Sequence, residues 1–404
     1  MLKLADKAET HPVIRWLMTD ARRRTDACEF LEAFADELRA AGVDVSRIST
    51  GVPILHPQIF SFSGLWQLDK GTTERLYRAN SDSLAMMARS PIRIAYEGGG
   101  PVRCDLSAPA SDGEFSILED LRRDGFSDYI VYPVPFADGS HKALALTTTR
   151  GGGFNSDELA LFEAMIPAVA FNLEVQALRR TARTLLDTYV GQQSGGRVLE
   201  GQIRRGAGET IRAVIWLCDL RGFTNLSETL PRDALIDLLN SYFGPMCDAV
   251  TAQGGEILKF IGDAMLAIFP IGAGAGQTCG AALRAAELAE ASLAKENQRR
   301  RGLGLPLIDY GLALHVGEVL YGNIGSDTRL DFTVIGPAVN LTARIESLCR
   351  QLGRTLLLSS DFAKACGISA DSLGRFPLKG IAADQEIFVP AHEGLTRSVD
   401  GIGL

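Results

Sequence analysis

The stretch A-V-I-W-L-C-D-L-R-G-F-T (213–224), followed by E-I-L-K-F-I-G-D-A-M-L-A-I-F-P (256–270), decides how this chain folds. The first piece is an apolar run that ends on Asp219 and turns through a glycine. The second is two short apolar runs joined by Gly262-Asp263, a tight hairpin signal. A strand end and a hairpin tip bring Asp219 and Asp263 together although 44 positions separate them. Paired carboxylates at a sheet rim, beside a glycine turn, suit divalent cations carrying a polyphosphate. The plainer reading is that both are turn residues, since Asp is common at strand ends.

Around this stretch, length and composition set bounds. A chain of 404 residues implies at least two domains, each with its own core. A hydrophobic content of 46% and a charged content of 22% are those of a globular protein. The net charge of −8 argues against a nucleic-acid partner. Cys28, Cys104, Cys218, Cys247, Cys279, Cys349 and Cys366 are odd in number and never form C-x-x-C, as expected for reduced thiols in a cytoplasm. The start M-L-K-L-A-D-K reads as no signal peptide, and the most apolar long run, 159–175, is broken by Glu163 and Pro167. No membrane span is expected.

Upstream, segments 13–18 and 28–41 read as helices, the second with Leu31, Phe34 and Leu38 on one stripe ended by Gly42. Residues 59–68 alternate like a half-buried strand, 92–96 reads as another strand, and 115–123 as a helix. Two apolar runs, 129–136 and 142–148, flank the turn Ala137-Asp138-Gly139-Ser140. From Ser156, read as an N-cap, a helical pattern extends to 190 through Pro167, which should kink it. Two readings compete for 156–190: a signalling helix packed across a dimer axis, or the closing helix of the preceding domain plus a surface helix. The glycine-rich stretch 191–208 reads as a linker.

By element order, residues 1–155 resemble a GAF domain, a small-molecule-sensing α/β module with a six-stranded antiparallel sheet. His56, Trp66, Cys104 and His141 are candidates to line a ligand pocket there; packing is the plainer role for each. The glycine runs 98–100 and 151–153 lack the strand–helix context of a phosphate cradle.

Downstream of the linker come strand 211–218, helix 232–252, hairpin 256–270, helix 281–298, strands 310–316 and 330–336, and helix 339–348. This order is α+β and predicts a split βαβ, ferredoxin-like sheet. D-L-R-G-F-T (219–224), K-F-I-G-D-A-M (259–265), H-V-G-E-V-L-Y-G-N-I-G (315–325), D-F-T-V-I-G-x-x-V-N-L-x-A-R (331–344) and L-K-G (378–380) resemble the class III nucleotidyl cyclase domain. The resemblance divides the chain into a sensor (1–155), helix and linker (156–208), cyclase domain (209–392) and tail (393–404).

The resemblance implies that Asp219, Asp263 and the Leu220 carbonyl hold two Mg²⁺ or Mn²⁺ ions per site, and that the backbone of Gly222, Phe223 and Thr224 cradles phosphates. Lys259 and Thr333 match the pair that reads the purine edge and favour ATP; guanylate cyclases of the family carry Glu and Cys there. Asn340 matches the ribose-positioning residue, Arg344 the one that meets charge on the α-phosphate, and Lys379 a triphosphate-binding lysine. Family precedent puts the aspartates on one subunit and Lys259, Thr333, Asn340 and Arg344 on its twin, hence a homodimer. Pro337 departs from the family pattern, where Asp or Asn is common, and is expected to stiffen the loop before Asn340. Two rival readings remain: a guanylate cyclase, and a homologue that binds nucleotide with little turnover.

Overall fold

A computed structural model describes residues 11–24, 26–53, 59–78, 90–109, 115–272 and 274–391. The chain divides into two compact units, one ending at Leu185 and one beginning at Leu186.

The first unit is built on a six-stranded antiparallel sheet, in the order β3-β2-β1-β6-β5-β4. Its strands are β1 (Arg47–Pro53), β2 (Ile59–Gln67), β3 (Gly71–Arg78), β4 (Val102–Asp105), β5 (Asp128–Pro135) and β6 (His141–Thr148). Helices α1 (Pro12–Met18), α2 (Ala27–Ala40) and α5 (Ser156–Tyr189) cover one face, burying Leu17, Phe30, Phe34, Phe162 and Met165 against Ile48, Ile130 and Leu146. Helices α3 (Ile92–Tyr96) and α4 (Ser116–Arg123) cover the other, where Ala95, Leu118 and Leu121 meet Tyr129, Val131 and Ala145. The β5–β6 turn forms at Asp138-Gly139, with Gly139 at φ +81° and Asp138 Oδ1 accepting from the Ser140 N–H at 2.8 Å.

Three local expectations are corrected. Residues 92–96 form helix α3, not a strand; Ser90 Oγ accepts from the Ile92 N–H, and Arg93 pairs with Glu97 one turn on. The cap of α5 is Asn155 rather than Ser156: its side chain accepts from the N–H groups of Asp157 and Glu158, and Glu158 accepts back from the Asn155 N–H. The expected linker 191–208 contains helix α6 (Gln192–Leu199). Its glycine serves close packing, because a Cβ on Gly195 would lie 3.0 Å from the Leu186 backbone. His56 lies outside the described residues.

The second unit has strands β7 (Gly208–Leu220), β8 (Glu256–Ile261), β9 (Ala264–Pro270), β10 (Tyr310–Gly325), β11 (Leu330–Ile335), β12 (Leu356–Ser359), β13 (Ala370–Phe376) and β14 (Gln385–Pro390). Helices α7 (Phe223–Thr229), α8 (Arg232–Ala252), α9 (Ala275–Gly302), α10 (Pro337–Gln351) and α11 (Ser360–Cys366) connect them. The core order β10-β7-β9-β8 sets the first strand between the last and the third, as a split βαβ ferredoxin-like sheet requires. Strands β12, β14 and β13 extend the sheet beyond β10, and β11 folds back on β10 as a two-stranded arm. Helices α8 and α9 bury Leu238, Tyr242, Met246, Ala282 and Ala286 against Trp216, Cys218 and Phe269. Among the described residues no helix is long and apolar enough to cross a membrane.

Candidate active site

The register of β7 against β9 pairs Cys218 with Met265, so Asp219 at the end of β7 sits beside the β8–β9 turn that carries Asp263. Gly262 adopts φ +66°, the left-handed conformation that a side chain would strain. The two carboxyls face each other closely enough to share a hydrogen bond. Burial first, and then the neighbouring Asp263, push the Asp219 carboxyl up to about 6. A third acid, Glu346 of α10, lies over the same strand end. Gly311 pairs with Asp219, and a Cβ on Gly311 would collide with Glu346 Oε1. Burial and then Asp219 raise Glu346 to about 7, with Arg221 opposing.

This donor set fits a hard divalent cation. Two carboxylates and a neighbouring carbonyl supply oxygen, and the electrostatic cost of crowding them is what a cation relieves. Among the described residues no three His, Cys, Asp or Glu side chains converge on one point. Protein ligands alone would therefore not complete a cage, and phosphate oxygens would fill the rest, as Mg²⁺ sites commonly require.

Beyond Asp219 the chain turns through Gly222, at φ +72° and ψ 14°, into α7. No side chain caps this helix, so the N–H groups of Phe223 and Thr224 point outward without an intrahelical acceptor. Phe223 packs against the core while Thr224 is exposed.

Lys259 meets β11, the strand that carries Thr333. An irregularity between Ile257 and Lys259 inserts Leu258 as an extra residue opposite β9, and a bulge of this kind re-aims the side chains that follow it. Lys259 Nζ lies 3.5 Å from Asp331 Oδ2 on β11. Thr333, two residues along the same face of β11, is 3% exposed, and its Oγ1 is buried without a hydrogen-bond partner.

Asn340 and Arg344 stand one turn apart on the exposed side of α10. Arg344 makes no ion pair among the described residues. Pro337 occupies the first turn of α10, where its missing N–H would have had no partner, so the substitution opens the helix without disturbing it. Lys379 is exposed on a turn anchored by buried Leu378. Among the described residues no hydrogen bond or ion pair links the aspartates to Lys259, Thr333, Asn340 or Arg344.

Three groups were given no role in the reading by motif: Asp331, which pairs with Lys259; Glu346; and Glu256, buried at the start of β8. Glu256 accepts from the Ser194 N–H at 2.9 Å, Ser194 Oγ at 2.5 Å and Tyr321 OH at 2.7 Å. Only the acidic spacing after Arg344 could have flagged Glu346. The other two depend on strand pairing. In the first unit, Trp66 packs into the core with α2 rather than lining a pocket, and His141 lies against Gly98.

Residues 209–389 match the family described as the adenylate and guanylate cyclase catalytic domain. That part of the chain is a cyclase catalytic domain, a lyase module. Adenylate cyclase of Anabaena cylindrica is 39% identical over 166 residues, covering 40% of this chain and 32% of that protein. The crystal structure of the adenylyl cyclase CyaB from P. aeruginosa is 30% identical and matches 47% of this chain and 100% of that one, with a TM-score of 0.43. A guanylyl cyclase crystal structure is 34% identical, matching 45% of this chain and 92% of that one, with a TM-score of 0.41. The chain spans about a third or less of the length of the curated relatives it matches. Class III cyclases generally use Mg²⁺ or Mn²⁺, and cyclase domains bind nucleotides and form dimers.

Proposed function

We propose that this protein is an adenylate cyclase that converts ATP to 3′,5′-cyclic AMP and pyrophosphate at a homodimer interface, under the control of a GAF-like N-terminal sensor. The observation that carries the reading is the buried, unpartnered Thr333 hydroxyl on β11, the strand whose Asp331 meets Lys259. An ammonium donates to adenine N1, and a hydroxyl serves the exocyclic amine. Guanine, with a protonated N1, would confront the ammonium with a second donor.

In the proposed reaction the ribose 3′-oxygen attacks the α-phosphorus, the bond from that phosphorus to the bridging oxygen breaks, and pyrophosphate leaves. Asp219, Asp263 and the Leu220 carbonyl would hold two divalent ions. Bound there, these ions supply charge neutralisation at the triphosphate and a lowered pKa for the ribose hydroxyl. Asn340 orients the ribose, Arg344 meets the charge growing on the α-phosphate oxygens, and Lys379 with the N–H groups of Phe223 and Thr224 steadies the triphosphate. The exposure of Asn340 and Arg344 supports completion of the site by a second copy.

Incubating the purified chain with ATP or with GTP and Mn²⁺, then identifying the cyclic product, tests the assignment. Cyclic AMP as the main product is expected; cyclic GMP in excess, or neither product, rejects it. Sensor control is tested by removing residues 1–190: the rate changes if that part regulates, and an unchanged rate in a dimeric remainder rejects regulation.

A further inference from the structure

The sheet of the first unit has one row of side chains that its own packing does not explain. Arg47 on β1 pairs with Thr147 on β6, which pairs with Tyr129 on β5. Cross-strand partners share a face, and this is the face of Val131, Ala145, Leu118 and Leu121, opposite the one carrying Ile48, Ile130 and Leu146. Tyr129 and Thr147 are fully buried. Arg47 Nη1, Tyr129 OH and Thr147 Oγ1 are all shielded from solvent and have no hydrogen-bond partner. Adjacent strands lie about 4.8 Å apart, so three orphaned groups span about 10 Å.

Nearly all buried polar groups in folded proteins are satisfied, and a shielded Nη1 on the half-buried Arg47 with no carboxylate is an exception. Arg47 forms no ion pair among the described residues. The ionisable groups that act on it are Tyr129, Arg75, Tyr77 and the exposed Asp124, and Arg75 adds a second positive charge. Burial, its largest influence, disfavours the charged guanidinium. All three orphans can donate, from one guanidinium and two hydroxyls. Three donors side by side on one sheet face, in an apolar setting, suit a guest that accepts and is negative.

We infer that Arg47, Thr147 and Tyr129 form a binding site, between the sheet and helices α3 and α4, for a small molecule that presents a carboxylate or phosphate oxyanion. Val131, Ala145, Leu118 and Leu121 offer an apolar surround for the body of that molecule. The site gives the proposed sensor its ligand chemistry, but its existence does not depend on the cyclase reading.

Hydrogen–deuterium exchange of the full chain tests it, with inorganic phosphate and benzoate as separate probes against chloride at matched ionic strength. Peptides covering 47–53 and 128–148 should slow saturably with at least one probe, and which probe does so separates phosphate from carboxylate ligands. Arg47→Met and Tyr129→Phe should each raise the half-saturating concentration by roughly tenfold or more. Without anion, Arg47→Met should protect these peptides as well as or better than the wild type, because it keeps the stem and removes an unpaired charge. No response to either probe, an equal response in both variants, or weakened protection of anion-free Arg47→Met would overturn the site. Saturable protection with an unchanged cyclase rate would leave the site standing and reject sensor control instead.

Discussion

Replacing Tyr321 by Phe would remove one hydroxyl from the buried knot that fastens α6 to the cyclase sheet. Tyr321 OH donates to Glu256 Oε2 at 2.7 Å, while Ser194 occupies Oε1 through both its N–H and its hydroxyl. Glu256 is 4% exposed, so water does not replace the lost donor. The ring itself stays: its edge-on contact with Phe332 at 4.8 Å and the Arg197 guanidinium 4.8 Å above it are open to Phe as well. The loss is therefore one hydrogen bond to a buried carboxylate, worth about 1–3 kcal/mol. Glu256 opens β8, the strand that carries Lys259 three positions on, so the knot joins the helix entering the domain to the strand proposed to read the purine. Hydrogen exchange of the amides of α6 and β8 reads the local opening free energy directly. A drop of about 2 kcal/mol is expected, or more than tenfold faster exchange, with Glu256→Ala at least as severe because it strands all three donors. A change below about 0.5 kcal/mol, the scale of an ordinary surface substitution, would refute the claim that this contact fastens α6.

Three further outcomes are expected. Asp219→Asn or Asp263→Asn abolishes turnover without unfolding the domain, as circular dichroism and activity together check. In the absence of divalent ions, stability should fall as pH rises from about 4 to about 6, because folded Asp219 binds its proton more tightly than an unfolded aspartate does. The Asp219→Asn variant should flatten that slope in urea titrations, leaving the share that burial of Glu346 contributes, and an undiminished slope counts against the carboxylate pair. Lys259→Glu combined with Thr333→Cys should lower the preference for ATP over GTP, measured as the ratio of kcat/KM values; an unchanged ratio rejects the base-reading role.

Legibility in the sequence followed how local the cause was. The two aspartates could be brought together from an apolar run and a Gly-Asp turn, because strand ends and hairpin tips are encoded within a few residues. Asn340 and Arg344 needed only the period of a helix. The Lys259–Asp331 pair depended on β11 folding back along β10 and meeting β8, a pairing that no short pattern announces. Residues 92–96 misled because I-R-I-A-Y alternates like a strand, whereas Ser90 and the Arg93–Glu97 pair settle it as a helix. The stretch 191–208 misled for the opposite reason: Gly195 there serves close packing of a helix against Leu186 rather than freedom of the chain. The Arg47 row was invisible because its members lie on three strands and share only a sheet face.

Complementation between two dead variants tests the shared site most directly. Asp219→Asn destroys the acidic half and Arg344→Ala the basic half, so each homodimer alone should be inactive. Mixed and allowed to exchange subunits, they form mixed pairs in which one of the two sites is intact, and random pairing should restore about a quarter of wild-type activity. A mixture as silent as its components, with exchange verified by mass spectrometry, would contradict a site built from two copies of this chain.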